Sequence, residues 1–200
     1  MAGVPEVSFV SRGGIKLDAA LSHFAVDVVG RVCADLGCST GGFTDCLLKR
    51  GAARVYAVDT GYGVLDYRLR RDPRVVVMER TNAMHVTLPE RADVVVIDAG
   101  WTRQRHILPA ADRLLRGPEG VPAVSGGWVV SLTKPHYEAD RSTLRRGILP
   151  DEAHPAVIAR VRADIESTGF RIVDWMESPI TGQKGNREFL ALLRPYPHVG

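Results

Sequence analysis

Short apolar runs recur along the chain at 32–36, 54–58, 74–78, 93–97 and 128–132, each bounded by glycine, proline or charged residues. Runs of this length, rich in valine, read as buried strands. Between them the apolar period changes to that of a helix. Leu17, Ala20, Leu21 and Phe24 share one face, and Phe43 to Arg50 carries a second stripe that stops at Gly51. Ile107 to Leu115 and Pro155 to Gly169 supply two longer helices, the last with Val157, Ile158, Val161 and Ile165 turned inward. Two further strands, 170–176 and 189–193, are joined through the glycine-punctuated turn 178–188 without a helix, which predicts an antiparallel hairpin at a sheet edge. Strands alternating with helices give an α/β protein with a doubly wound, mostly parallel sheet. Residues 117–127 read as a loop, and 140–152, rich in Arg and Asp, as a mobile surface loop suited to a lid or a partner contact.

Composition narrows the class. With 200 residues, 45% of them hydrophobic, the chain fills one core and not two ordinary domains. Residues 1–10 and 195–200 read as short tails around a domain at 11–194. A net charge of +3 permits a polyanionic partner without demanding one. No apolar run approaches a membrane span, and the first ten residues lack the features of a secretion signal, so no membrane role and a cytoplasmic location are expected. Cys33, Cys38 and Cys46 lack zinc spacing; they are read as reduced thiols, and no metal site is expected.

Candidate chemistry begins at residues 31–43, where the strand leading to Asp35 runs into a loop with Gly37, Gly41 and Gly42 and then into the helix from Phe43. Glycines let a ligand approach the backbone, and a helix start with free N–H groups suits a carboxylate or phosphate. The spacing is not that of the dinucleotide fingerprint. Asp59 ends the second strand, 24 positions beyond Asp35, where nucleotide-binding α/β folds place the acceptor of ribose hydroxyls. Asn82, after the third strand, is read either as a contact for an adenine edge or as a plain turn residue. Asp98 and Lys134 stand at strand ends, on the side of the sheet where ligands of open α/β sheets bind. Lys16 stands at a helix start, where the helix dipole disfavours a cation unless it has a partner or a task.

The segments Ser11–Leu17, Asp35–Leu48, Val94–Asp98, Leu132–Glu138 and Ile180–Leu190 together resemble the TlyA (haemolysin A) branch of the FtsJ-like methyltransferases, in the same order along the chain. The resemblance implies a Rossmann-like class I methyltransferase fold. It implies S-adenosyl-L-methionine (AdoMet) as the methyl donor and RNA, ribosomal RNA or a ribosomal subunit, as the acceptor. It carries the family's Lys-Asp-Lys-Glu tetrad onto Lys16, Asp98, Lys134 and Glu188. The donor site it implies comprises Asp35, Gly37, Ser39, Thr40, Gly41, Gly42 and Phe43 at the glycine bend, with Asp59, Asn82 and Asp98 beyond it. A ribose hydroxyl must lose its proton as it attacks, so Lys134 is expected to act as base, its pKa pushed down by Lys16 and partial burial.

The chain also departs from the family pattern. Members usually begin with a small RNA-binding domain, whereas only residues 1–10 precede the matching region, so that domain is expected to be absent. The stretch after Asp98 reads Ala99-Gly100-Trp101, and the usual Lys-Pro-Gln-Phe-Glu reads Lys134-Pro135-His136-Tyr137-Glu138. Trp101, His136, Tyr137 and Asn186 are therefore candidates for the acceptor pocket. A second reading, a small-molecule enzyme that methylates a small hydroxyl substrate or consumes AdoMet itself, stands beside RNA methylation.

Overall fold

A computed structural model describes residues 8–116 and 127–196, so most of the expected loop at 117–127 lies outside the described residues. Seven strands form one sheet: β1 (Val32–Leu36), β2 (Arg54–Val58), β3 (Val75–Met78), β4 (Val94–Ile97), β5 (Trp128–Thr133), β6 (Phe170–Glu177) and β7 (Phe189–Pro195). Their spatial order is β3-β2-β1-β4-β5-β7-β6. The first five are parallel, while β7 runs antiparallel to both β5 and β6, so the final two strands form the expected hairpin at the edge.

Alternation along the strands builds two core layers. Cys33, Val55, Val94, Val96, Val130 and Leu190 face the helices α1 (Gly13–His23) and α2 (Gly42–Lys49). Their neighbours Ala34, Leu36, Val95, Ile97, Val129 and Ala191 face α4 (Gln104–Arg116) and α6 (His154–Ser167). Both faces are covered, which is why the central strands read as continuous apolar runs. Two short helices, α3 (Tyr67–Arg70) and α5 (Pro135–Glu138), complete the α-helices among the described residues.

Three elements differ from the sequence reading. Helix α1 begins at Gly13, four residues before Leu17, and the Phe9 side chain takes the space a Cβ at Gly14 would fill. Helix α4 begins at Gln104 because the Glu138 carboxylate accepts a hydrogen bond from the Gln104 N–H at 2.9 Å, supplying a long-range N-terminal partner. The segment 140–152 is not a free loop. Leu149 is buried, Arg145 and Ile148 pair backbone to backbone, and two 3₁₀ turns at Arg141–Thr143 and Asp151–Ala153 flank them.

Candidate active site

Four residues named from the sequence each occupy the first position beyond a parallel strand: Gly37 after β1, Asp59 after β2, Asp98 after β4 and Lys134 after β5. They share the carboxyl-terminal edge of the sheet, where strand order reverses between β1 and β4. An open cleft of about 580 Å³ lies along that edge. Gly37 has a left-handed φ of 89°, and a Cβ there would stand 2.7 Å from the Asp98 carbonyl oxygen, so only glycine lets the two strand ends meet.

Lys16 and Glu188, 172 positions apart, form an ion pair of 2.5 Å inside the cleft; both are buried. Lys134 and Asp98 form a second pair, also at 2.5 Å. All four side chains line the same cleft. Burial works against the Lys134 ammonium, but the attraction of Asp98 and Glu188 outweighs it, and the lysine pKa is held above its ordinary value. The expected downward shift is therefore reversed, because the Asp98 carboxylate 2.5 Å away favours the charged lysine more than burial opposes it. The Asp98 carboxyl is pushed up by its burial and pulled down by Lys134 and Lys16.

At the other end of the cleft, Asp59 ties two loops together. Its Oδ2 accepts a hydrogen bond from the Ser39 N–H at 2.8 Å and its Oδ1 one from the Gly61 N–H at 2.7 Å. Ser39, Thr40, Gly42 and Phe43 line this end with Asn82. Asn82 lines the cleft, and its Oδ1 accepts from the Met84 N–H at 2.9 Å to form a turn. Below the bend, Glu79 accepts from the N–H groups of Gly63 and Val64 and from the Arg70 guanidinium. The guanidinium, then those amides, bring the Glu79 pKa down to about 2.

The cleft mouth is aromatic. Tyr137 packs at a tilt against Trp101, with ring centroids 4.6 Å apart, and against His136 at 4.1 Å. Trp101 is 81% exposed and holds a left-handed φ of 67°, an uncommon conformation for a bulky residue. His136 is buried with no partner at Nδ1, and burial, then Lys134, lowers its pKa to about 4, so the imidazole is neutral. The loop carrying Trp101 is held from beneath. Ser131 Oγ donates to Gln104 Oε1 at 2.7 Å, and Gln104 Nε2 donates to the Leu132 carbonyl at 3.3 Å.

Three expected site residues do not reach the cleft. Asp35 lies within β1, fully buried below the bend; Thr44 Oγ1 donates to its Oδ2 at 2.7 Å, and its Oδ1 has no partner. Gly41 turns toward the core, where a Cβ would strike Leu69 and Leu65. Asn186 is a structural clamp: its Oδ1 accepts from the Leu149 N–H at 3.2 Å and its Nδ2 donates to the Gly147 carbonyl at 3.1 Å. Conversely, Ser11, Arg12, Cys38 and Thr81 line the cleft and were not singled out as site residues. For Ser11 and Arg12 the available signal was their place in the same short motif as Lys16. Burial pushes the Cys33 and Cys46 thiols up to about 12, and raises Cys38 as well, so all three are inert thiols. Among the described residues no cluster of His, Cys, Asp or Glu is arranged to hold a metal ion, and no helix is long and apolar enough to cross a membrane.

The chain is similar to several known proteins. The Bacillus subtilis protein YqxC, named as an rRNA methyltransferase, is 42% identical over 191 residues, covering 91% of this chain and 64% of that one. The 16S/23S rRNA (cytidine-2′-O)-methyltransferase TlyA of Mycobacterium tuberculosis is 41% identical over 195 residues, covering 94% of this chain and 69% of that protein. This chain thus spans about two thirds of the length of these relatives. A crystal structure of a Lactococcus lactis protein described as a hemolysin superposes with a TM-score of 0.86 at 37% identity, covering 94% of this chain and 89% of the other. The model of the FtsJ-like methyltransferase family matches residues 9–194, and the chain belongs to that family.

Proposed function

We propose that the chain transfers a methyl group from AdoMet to a ribose 2′-hydroxyl of ribosomal RNA. The observation that carries this reading is the meeting of Lys16–Glu188 and Lys134–Asp98 in one cleft that starts at the glycine bend. The cleft suits the donor. Gly37 leaves the strand ends open to a close approach. Each Asp59 oxygen keeps a lone pair for a ribose hydroxyl beyond the backbone N–H it already accepts. Asn82, with Oδ1 taken by Met84, presents its amide N–H groups to an adenine edge. When bound, AdoMet supplies an electrophilic methyl on a sulfonium that leaves as a neutral thioether.

Lys134 accepts the hydroxyl proton. Because Asp98 holds the lysine up, its unprotonated fraction is small near neutral pH and grows as pH rises. Lys16, held by Glu188, keeps a second positive charge in the cleft to steady the developing alkoxide. Positioning of hydroxyl and methyl in line supplies most of the acceleration. Trp101, 81% exposed on Tyr137, offers a flat face at an open mouth. An open mouth suits an extended acceptor whose base stacks there, and a small substrate would call for a closed pocket.

The test is product analysis after incubating the protein with isotopically labelled AdoMet, with and without ribosomal subunits that lack cytidine 2′-O-methylation. Label recovered in a 2′-O-methyl nucleoside supports the reading. Methylthioadenosine formed without any acceptor contradicts it and points to AdoMet as the substrate.

A further inference from the structure

Gly182 is a buried glycine in the 178–188 turn, and its φ lies outside the left-handed region, so its backbone conformation is open to any residue. What excludes a side chain is the Glu188 carboxyl. A Cβ at position 182 would stand 2.0 Å from Glu188 Oε1, 2.6 Å from Cδ and 3.2 Å from Cγ. No other atom is closer, so the space a methyl group would fill is already taken by that carboxyl. The turn is folded back to bring Gly182 there: its N–H donates to the Asn186 carbonyl at 2.8 Å, and the Ser178 N–H donates to the Glu188 carbonyl at 2.8 Å. Asn186 is itself fixed to Gly147 and Leu149.

We infer that Gly182 is a positioning residue for methyl transfer: its bare Cα is the wall against which Glu188 rests, and that wall fixes the carboxylate on Lys16. The inference rests on the tetrad reading given above. The clash a side chain would create is with the far end of a flexible Glu and not with backbone, so relief comes from swinging the carboxyl away from Lys16. The fold is spared, and the glutamate–lysine geometry is not. Asn186, expected as a pocket residue, thereby acquires a role at one remove, as the anchor of the turn that carries the wall.

The experiment is a double-mutant cycle of Gly182→Ala and Glu188→Ala, reading single-turnover methyl transfer to ribosomal subunits, AdoMet affinity and thermal midpoint. Gly182→Ala is expected to lower the transfer rate on the order of 10²-fold, the loss typical of an ångström-scale misplacement. AdoMet affinity and thermal midpoint should stay at wild-type values. In the Glu188→Ala background the same substitution should cost nothing more, because the carboxyl it would strike is gone. If Gly182→Ala fails to fold while the double variant folds, the clash acts on the fold and not on the carboxylate alone, and the positioning inference is overturned. Full activity of Gly182→Ala beside an inactive Glu188→Ala overturns the inference and leaves the tetrad standing. An additional loss in the double variant overturns it as well. Full activity of Glu188→Ala overturns the tetrad reading and the inference with it.

Discussion

Asp35 makes a quantitative prediction about stability. Its carboxyl is fully buried beneath the glycine bend, with one oxygen held by Thr44 and the other unpartnered. Burial raises its pKa from 3.8 to about 7, opposed by the Thr44 hydrogen bond and assisted by Asp98 and Asp59. A raised folded-state value means that the group's stabilisation is complete below the unfolded value and is lost as pH rises through the folded one. Over the whole window the loss is about 4 kcal/mol at about 1.4 kcal/mol per unit. Between about pH 5.5 and about pH 8.5 the share is about 2 kcal/mol. Asp35→Asn keeps an acceptor for Thr44 and removes the titration. Denaturant unfolding of both proteins at these two pH values isolates the term, since titrating groups that do not interact with Asp35 cancel in the difference. Wild type should gain about 2 kcal/mol on the variant when the pH is lowered across that interval. A difference that stays constant with pH would refute the reasoning and show that Asp35 does not titrate in this window.

Other outcomes follow from the site. Glu79→Gln should lower the thermal midpoint by releasing Arg70 and the 63–64 amides, and wild type should hold this contribution above the unfolded glutamate value and lose it only as pH falls toward about 2; thermal unfolding at acid and neutral pH checks both. Asp59→Ala should weaken AdoMet binding by at least about tenfold, measured by calorimetry, because it removes the carboxylate and frees the Ser39 and Gly61 N–H groups together. Trp101→Ala should leave the thermal midpoint unchanged, since the ring is exposed, while raising the KM for ribosomal subunits in a methyl-transfer assay.

Much of the fold could be read from the pattern, because central strands covered on both faces are apolar at every position and stand out from their surroundings. The site was less evenly legible. Asp59 and Asp98 lie one residue past their strand ends, at Val58 and Ile97, and reach the cleft. Asp35 lies one residue short of its strand end, in register with Ala57 and Val96, so its side chain enters the core layer beside α2. Two positions along a strand thus separate cleft from core, and motif resemblance does not carry that distinction. Long-range partners were equally hidden. The start of α4 depends on Glu138, 34 residues away, and the role of Asn186 depends on backbone groups at 147 and 149. The direction of the Lys134 shift turned on the same kind of fact: the sequence names both its ammonium and its carboxylate neighbours, and the 2.5 Å contact with Asp98 is visible only in the fold.

The central claim is that Lys134, held by Asp98 within the shared cleft, takes the proton from the attacking hydroxyl. The most direct measurement is the single-turnover rate of methyl transfer by Lys134→Ala at saturating AdoMet and ribosomal subunits. The account predicts a rate lower by about 10²- to 10⁴-fold with AdoMet affinity retained. An unchanged rate would contradict it.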